Sequence, residues 1–286
     1  MKKIIFTLLL LNTFILANIN TVVSILPEKT FVEAIGGEKV HVALMVLPGN
    51  SPHTYEPKPS QMREIANAQL YFAIGVEFEK VWLPKFKNLN PALQVVDLTQ
   101  GITKLPMTAE HHHEDAHEDH HHETEGLDPH IWTSPANVKK IAQHIFDALA
   151  SADPKNCDYY RQNLETFLQK IEETDKQIRQ ILSSVPKGTA FMVFHPSWGY
   201  FAKTYGLTQL PVEVEGKAPK PRELINLIKE AKEEKVTAIF TQPEFSDSAA
   251  KVIADELHIP VIKVSPLAED WSDNLIRIAK AIAGEK

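Results

Sequence analysis

The chain has 286 residues, with 30 Lys and Arg against 37 Asp and Glu, a formal net charge of −7, 13 histidines and one cysteine, Cys157. A single thiol excludes an intramolecular disulfide and a cysteine-based structural zinc site, and an acidic balance without a basic stripe excludes a nucleic-acid surface. The length allows two compact domains or one large one.

At the N-terminus Lys2 and Lys3 precede an apolar run from Ile4 to Leu11, then Asn12-Thr13 and Phe14-Ile15-Leu16-Ala17. A basic start followed by so short an apolar stretch reads as a cleaved secretory signal over residues 1–17, with the cut after Ala17. No other run approaches the roughly 20 apolar residues of a membrane span. No cysteine stands at the cut to carry a lipid. The expected product is a periplasmic protein, not membrane-embedded, and a monomer.

Beyond the signal, apolar runs at Thr21–Leu26, Val42–Leu47, Gln69–Ile74 and Gln94–Leu98 predict strands. They alternate with helical patterns near Glu28–Ile35, Ser60–Ala68 and Phe78–Lys85. A second series repeats the alternation late in the chain. Its strands fall near Ala190–Phe194, Gln209–Val214, Ala238–Thr241 and Val261–Val264, and its helices near Arg222–Lys232, Ser248–Leu257 and Ser272–Ala283. Such alternation predicts an α/β fold with parallel sheets covered on both faces, here two sheets of four strands. The domain reading is an N-terminal unit over 18–133, linking helices over 134–185 and a C-terminal unit over 186–286. In the middle, Ser134-Pro135 opens a helix to about Ala150. Asp153-Pro154 opens a second, whose Leu164, Phe167, Leu168, Ile171, Ile178, Ile181 and Leu182 recur at helical spacing. A helix from Pro154 to Ser183 would be about 45 Å long, enough to run along both units as a stiff spine.

Residues 108–126 hold the most biased segment. From Glu110 to Glu125, seven histidines are interleaved with seven acids, and Ala116 is the one apolar residue. Such a stretch cannot bury a core and is expected to be disordered when free. Its imidazoles and carboxylates can chelate borderline divalent metals weakly and in many arrangements.

Six histidines lie elsewhere. His41 begins a strand, His144 lies within a helix and His258 precedes a strand, so each reads as ordinary packing or surface. His53, in Ser51-Pro52-His53-Thr54-Tyr55-Glu56-Pro57, and His195, in Phe194-His195-Pro196, follow strand ends, where open α/β sheets bind ligands. His130 follows the His-rich segment in Asp128-Pro129-His130-Ile131-Trp132. The three are far apart in sequence and form no local motif, so spacing alone leaves the triad suggestive.

At these residues, and at Gln242-Pro243-Glu244-Phe245, the chain resembles the metal-specific cluster of periplasmic solute-binding proteins that serve ATP-driven transporters. The resemblance covers essentially the whole chain after the signal. It implies two α/β units joined by one long helix, with a metal between them held by His53, His130 and His195. It also implies a partner, an inner-membrane ABC permease with its ATPase. Zinc-binding relatives place histidine at the third position and manganese-binding relatives a glutamate, so His195 favours Zn2+; neutral imidazole suits zinc, and carboxylate suits manganese. Many relatives carry aspartate in an Asp-Pro-Leu stretch near the end, where this chain has Ser265-Pro266-Leu267. The fourth donor is therefore open among water, Ser265, Glu269 and Asp270, with three protein ligands plus solvent as the expectation. The alternatives are a three-histidine zinc hydrolase, for which no His-Glu-x-x-His motif or general base is found, and a zinc buffer acting through the His-rich segment alone.

Overall fold

The computed structural model describes residues 18–107, 126–214 and 217–285. The expected signal segment 1–17 and the His- and acid-rich stretch over 108–125 lie outside them. Two four-stranded sheets, parallel throughout, stand in the two halves of the chain. The first holds β1 (Ile19–Val23), β2 (Val40–Leu44), β3 (Leu70–Ala73) and β4 (Gln94–Asp97) in the order β2-β1-β3-β4. The second holds β5 (Ala190–Val193), β6 (Thr208–Pro211), β7 (Ile239–Thr241) and β8 (Val261–Lys263) in the order β6-β5-β7-β8. The two orders are the same, and in each the spread of the chain reverses at its first strand.

β1 lies earlier than the expected Thr21–Leu26 because the chain already turns into α1 (Leu26–Gly36) there. Pro27 presets the first helical turn, and Glu28 Oε2 accepts the amides of Ser24 and Ile25, both at 3.0 Å. The same device starts α2 (Pro59–Asn67), where the Lys58 amide donates to Gln61 Oε1 at 2.9 Å. α3 (Glu77–Leu89) continues past the expected Lys85 although Pro84 lies inside it. Pro84 faces solvent, while Phe78, Trp82 and Phe86 stack along the inner face with centroids 6.0 to 6.3 Å apart. That burial outweighs the one helical hydrogen bond that proline removes.

The middle of the chain forms α4 (Pro135–Ala152) and the 25-residue α5 (Cys157–Ile181), which 3-10 turns extend at Pro154–Asn156 and Leu182–Ser184. Next come α6 (Gly199–Tyr205), α7 (Pro221–Glu233), α8 (Ser248–Leu257) and α9 (Trp271–Ile282). α6 has no counterpart in the sequence reading. It has seven residues, too few to show a period, and tertiary burial of Tyr200, Phe201 and Ala202 sustains it.

α5 is the expected spine. It packs on α1, α4 and α9, and so joins helices of both halves. Phe31 of α1 sits between Phe167 of α5 and Trp271 of α9, each at a centroid distance of 5.6 Å. Full burial of such a ring contributes about 1.5–3 kcal/mol. Polar pins accompany it, with Asn163 Nδ2 donating to the Ile35 carbonyl at 3.0 Å and Thr174 and Ser272 hydroxyls paired at 2.6 Å. The main core runs unbroken from the first sheet through α4 and α5 to one face of the second sheet, where Phe191, Val193 and Phe240 point inward. Strand alternation turns Ala190, Met192 and Ile239 to the opposite face, against Leu227 and Ala231 of α7 and Ile253 of α8.

Candidate metal centre

His53, His130 and His195 arrive from three different elements and meet. His195 stands two residues past β5 and its backbone is clamped by Gln242, just past β7: the His195 amide donates to Gln242 Oε1 at 3.2 Å, and Gln242 Nε2 returns to the His195 carbonyl at 2.7 Å. This is the point at which the second sheet's strand order reverses, where the loops of β5 and β7 part and leave a crevice. His130 stands before the 3-10 turn Ile131–Thr133 that leads into α4. Trp132 fastens that turn across the molecule, its indole donating to the Pro266 carbonyl at 2.7 Å while Trp271 donates to the Trp132 carbonyl at 2.8 Å. His53 lies on the long connection between β2 and α2 and is the exposed member, its side chain 33% accessible against 8% and 9% for those of His130 and His195. The His195 ring centroid is 5.2 Å from that of His53 and 5.3 Å from that of His130.

Each ring has a carboxylate at Nδ1. Asp128 Oδ1 stands 2.7 Å from Nδ1 of His130 and also accepts the His130 amide at 2.8 Å. Glu213 Oε1 is 2.8 Å from Nδ1 of His195, and Glu77 Oε2 is in contact with Nδ1 of His53. A carboxylate at Nδ1 favours the tautomer with the proton there, which turns the Nε2 lone pair outward as a metal donor. Among the described residues Nε2 of His195 is buried without a hydrogen-bond partner, a costly state for a polar atom unless something is to bind it. The cavity between the rings measures about 30 Å3 and is lined in part by Ser51, Glu77, Glu244 and Phe245. It has room for an ion and little else. Among the described residues no group of three or more His, Cys, Asp or Glu side chains is arranged to hold a metal ion as it stands; the three rings are neighbours, not a coordination shell.

The Glu77 hydrogen bond raises the pKa of His53 above that of a free imidazole, and the same bond lowers that of Glu77. Burial lowers the pKa of His195, and this outweighs the opposing pull of Glu213. The fixed position of Asp128 depends on Gly199 at the start of α6, where a Cβ would come within 2.8 Å of Asp128 Oδ2. Tyr200 adds a hydroxyl donated to the Asp128 carbonyl at 2.8 Å.

The other histidines stay out of the site. His41 faces Glu64 at 3.5 Å on the surface, His144 Nε2 meets the Gln100 carbonyl at 3.0 Å, and His258 caps α8 in the left-handed region. Of the suggested fourth donors, Asp270 is paired with Arg277 at 2.9 Å, and neither it nor Glu269 lines the cavity. Ser265 donates its hydroxyl to Glu244 Oε1 at 3.1 Å and lines a neighbouring cavity of about 200 Å3. Sequence reasoning gave no role to Asp128, Glu213, Glu77, Gln242 or Glu244. Asp128, Gln242 and Glu244 stood in motifs already noticed, whereas nothing local marked Glu77 or Glu213.

Residues 21–284 match the family described as ZnuA, zinc-uptake complex component A, periplasmic. The chain belongs to this family. It is 30% identical over 243 residues to the high-affinity zinc uptake system protein ZnuA of Bacillus subtilis, with 84% of this chain and 75% of the relative covered. It is 27% identical over 262 residues to the zinc-binding protein AdcA of Streptococcus pyogenes, covering 87% of this chain and 50% of the relative. The chain thus spans about half the length of AdcA. A crystal structure of ZnuA superposes with a TM-score of 0.84 at 42% identity, covering 94% of this chain and 99% of that one. No helix among the described residues is long and apolar enough to cross a membrane.

Proposed function

We propose that this protein captures one zinc ion with high affinity in the periplasm, between His53, His130 and His195, and delivers it to the permease of an ATP-driven importer. The observation that carries the reading is the convergence of three imidazoles, each with a carboxylate on Nδ1, around the unpartnered Nε2 of His195. Three neutral nitrogens suit zinc better than manganese. In this reading residues 18–133 and 186–286 are two lobes, and the helices of 134–185 hold them at a fixed spacing. The names of the relatives, high-affinity zinc uptake among them, point the same way. The segment 110–125 serves as an auxiliary collector: the described residues on either side of it are paired, the Met107 amide donating to the Gly126 carbonyl at 3.0 Å and the Asp128 amide to the Leu105 carbonyl at 2.8 Å, close in sequence to His130. A tethered weak binder raises the local metal concentration at its root.

Calorimetry tests the site. Alanine at His53, His130 or His195 should abolish tight one-to-one zinc binding, and alanine at His41, His144 or His258 should leave it intact. Equal behaviour of all six would refute the assignment. Deleting residues 110–125 should lower total zinc stoichiometry toward one and spare the tight phase. Cells carrying H195A as their sole copy should accumulate zinc no better under limitation than cells lacking the protein.

A further inference from the structure

We propose that Glu244 is the fourth protein ligand of the zinc ion, supplying from the loop after β7 the carboxylate that is missing at Ser265; this rests on the three-histidine reading above. Two carboxylates line the cavity shared by the three imidazoles. Glu77 is occupied at Nδ1 of His53. Glu244 is paired with no basic side chain among the described residues, and its recorded side-chain partner is the Ser265 hydroxyl at 3.1 Å.

That hydroxyl is itself fixed. The Leu267 amide donates to Ser265 Oγ at 3.0 Å, which leaves the hydroxyl proton for Glu244 Oε1. The segment around Ser265 is held by Asn274 Nδ2 on the Ser265 carbonyl at 2.8 Å and by the Trp132 indole on the Pro266 carbonyl at 2.7 Å. On the other side of Glu244, Phe245 stacks on the His195 ring at 5.1 Å and Gln242 clamps the His195 backbone. Glu244 is therefore gripped between His195 and the anchored Ser265 segment. A serine hydroxyl is a poor zinc donor, but it can orient a carboxylate that reaches the ion in its place. Zinc takes four ligands in closed sites, carboxylate oxygen among them, and one anionic donor halves the charge that three neutral imidazoles leave on the buried ion.

Cobalt(II) bound one-to-one to the full chain reports the donor set by its visible ligand-field spectrum. Glu244→Gln should change that spectrum and weaken zinc roughly a hundredfold or more, beyond the usual cost of losing an outer partner. Glu77→Gln should weaken zinc less and keep the spectrum. If E244Q keeps the wild-type spectrum, whatever its affinity, or if E77Q alters the spectrum and E244Q does not, the proposal is overturned. A zinc-edge anomalous map of the wild-type protein carries the test should E244Q fold poorly. A Glu244 oxygen about 2.0–2.2 Å from the ion supports the assignment, and a water in that place with Glu244 beyond it overturns it. Failure of the underlying reading looks different: cobalt and zinc binding would then be indifferent to His53, His130 and His195 as well.

Discussion

The two sheets share a strand order, yet the equivalent points of the two do opposite things. At the end of β5, where the second sheet's order reverses, stand His195 and its clamp Gln242, with the ring open to the metal cavity. At the end of β1 the first sheet has Ser24, sealed beneath Tyr71 and two buried acids. Ser24 Oγ donates to Glu79 Oε1 at 2.5 Å and lies 2.7 Å from the Tyr71 hydroxyl; Glu79 also accepts the amides of Ile74 at 2.9 Å and Gly75 at 2.8 Å. Glu28 Oε2 caps α1, and its Oε1 is buried without a partner. The same topological crevice is thus open, with the proposed ligand His195 at its mouth, in one half and plugged in the other. The plug still serves the site: by holding the turn after β3, Glu79 sets the start of α3 and with it Glu77, the partner of His53. The first sheet's proposed ligand, His53, comes from the long connection after β2 instead, which explains why it is the exposed member of the triad.

The largest expected effect breaks this comparison at its centre. His195→Ala should weaken one-to-one zinc binding by at least about a hundredfold in calorimetry. Ser24→Ala, just past the end of β1 in the first sheet, should leave binding within a few-fold and lower unfolding stability in urea by about 1–3 kcal/mol, because the Tyr71 hydroxyl and Glu79 lose their shared partner. Glu79→Gln should cost a similar 1–3 kcal/mol, since an amide in place of one carboxylate oxygen opposes a backbone N–H donor. Gly199→Ala tests the support of His130 rather than its ring. The added methyl group must displace the Asp128 carboxylate, for about 1–3 kcal/mol of stability and a several-fold loss of zinc affinity.

A smaller and more selective effect is the order of protonation. Zinc binds neutral imidazole, so acidification must release it with uptake of protons. In the zinc-free protein His53, raised by Glu77, should titrate above the roughly 6.5 of a free imidazole, and His195, lowered by burial, should titrate below it. NMR of the ring protons would read both, and the reverse order would contradict the geometry. The smallest change is expected for Glu28→Gln. Burial, with the Glu79 charge added, holds Glu28 well above the ordinary carboxylate range, and burial lifts Glu79 to about 6. Groups raised in the folded state stabilise it fully below their unfolded pKa and lose that contribution as pH climbs through the folded value. The wild-type protein should therefore lose stability as pH rises through about 6. E28Q keeps an oxygen for the α1 cap and removes one of the two acids, so its stability should fall less over that window and differ little from wild type at low pH.

The sequence by itself determined the α/β class, the two series of four strands and the long helix, and it singled out the three histidines that the fold brings together. These are written locally: period-2 and period-3.6 patterns, Ser-Pro and Asp-Pro at helix starts, and strand-end motifs that resemble a known family. It also exposed the missing acid at Ser265. Only the tertiary structure decided what stands behind each ring. Glu77 and Glu213 open a helix and follow an edge strand, ordinary places for an acid in sequence, and they become partners of His53 and His195 only because β2, α3, β5 and β6 are brought together. The same holds for α6, whose seven residues carry too little period to announce a helix, and for the core, which runs across α4 and α5 into the second sheet. Backbone periodicity is set by neighbours a few residues apart, whereas a carboxylate at Nδ1 is set by a contact such as that between Glu213 and His195, 18 residues apart in the chain and 2.8 Å apart in space.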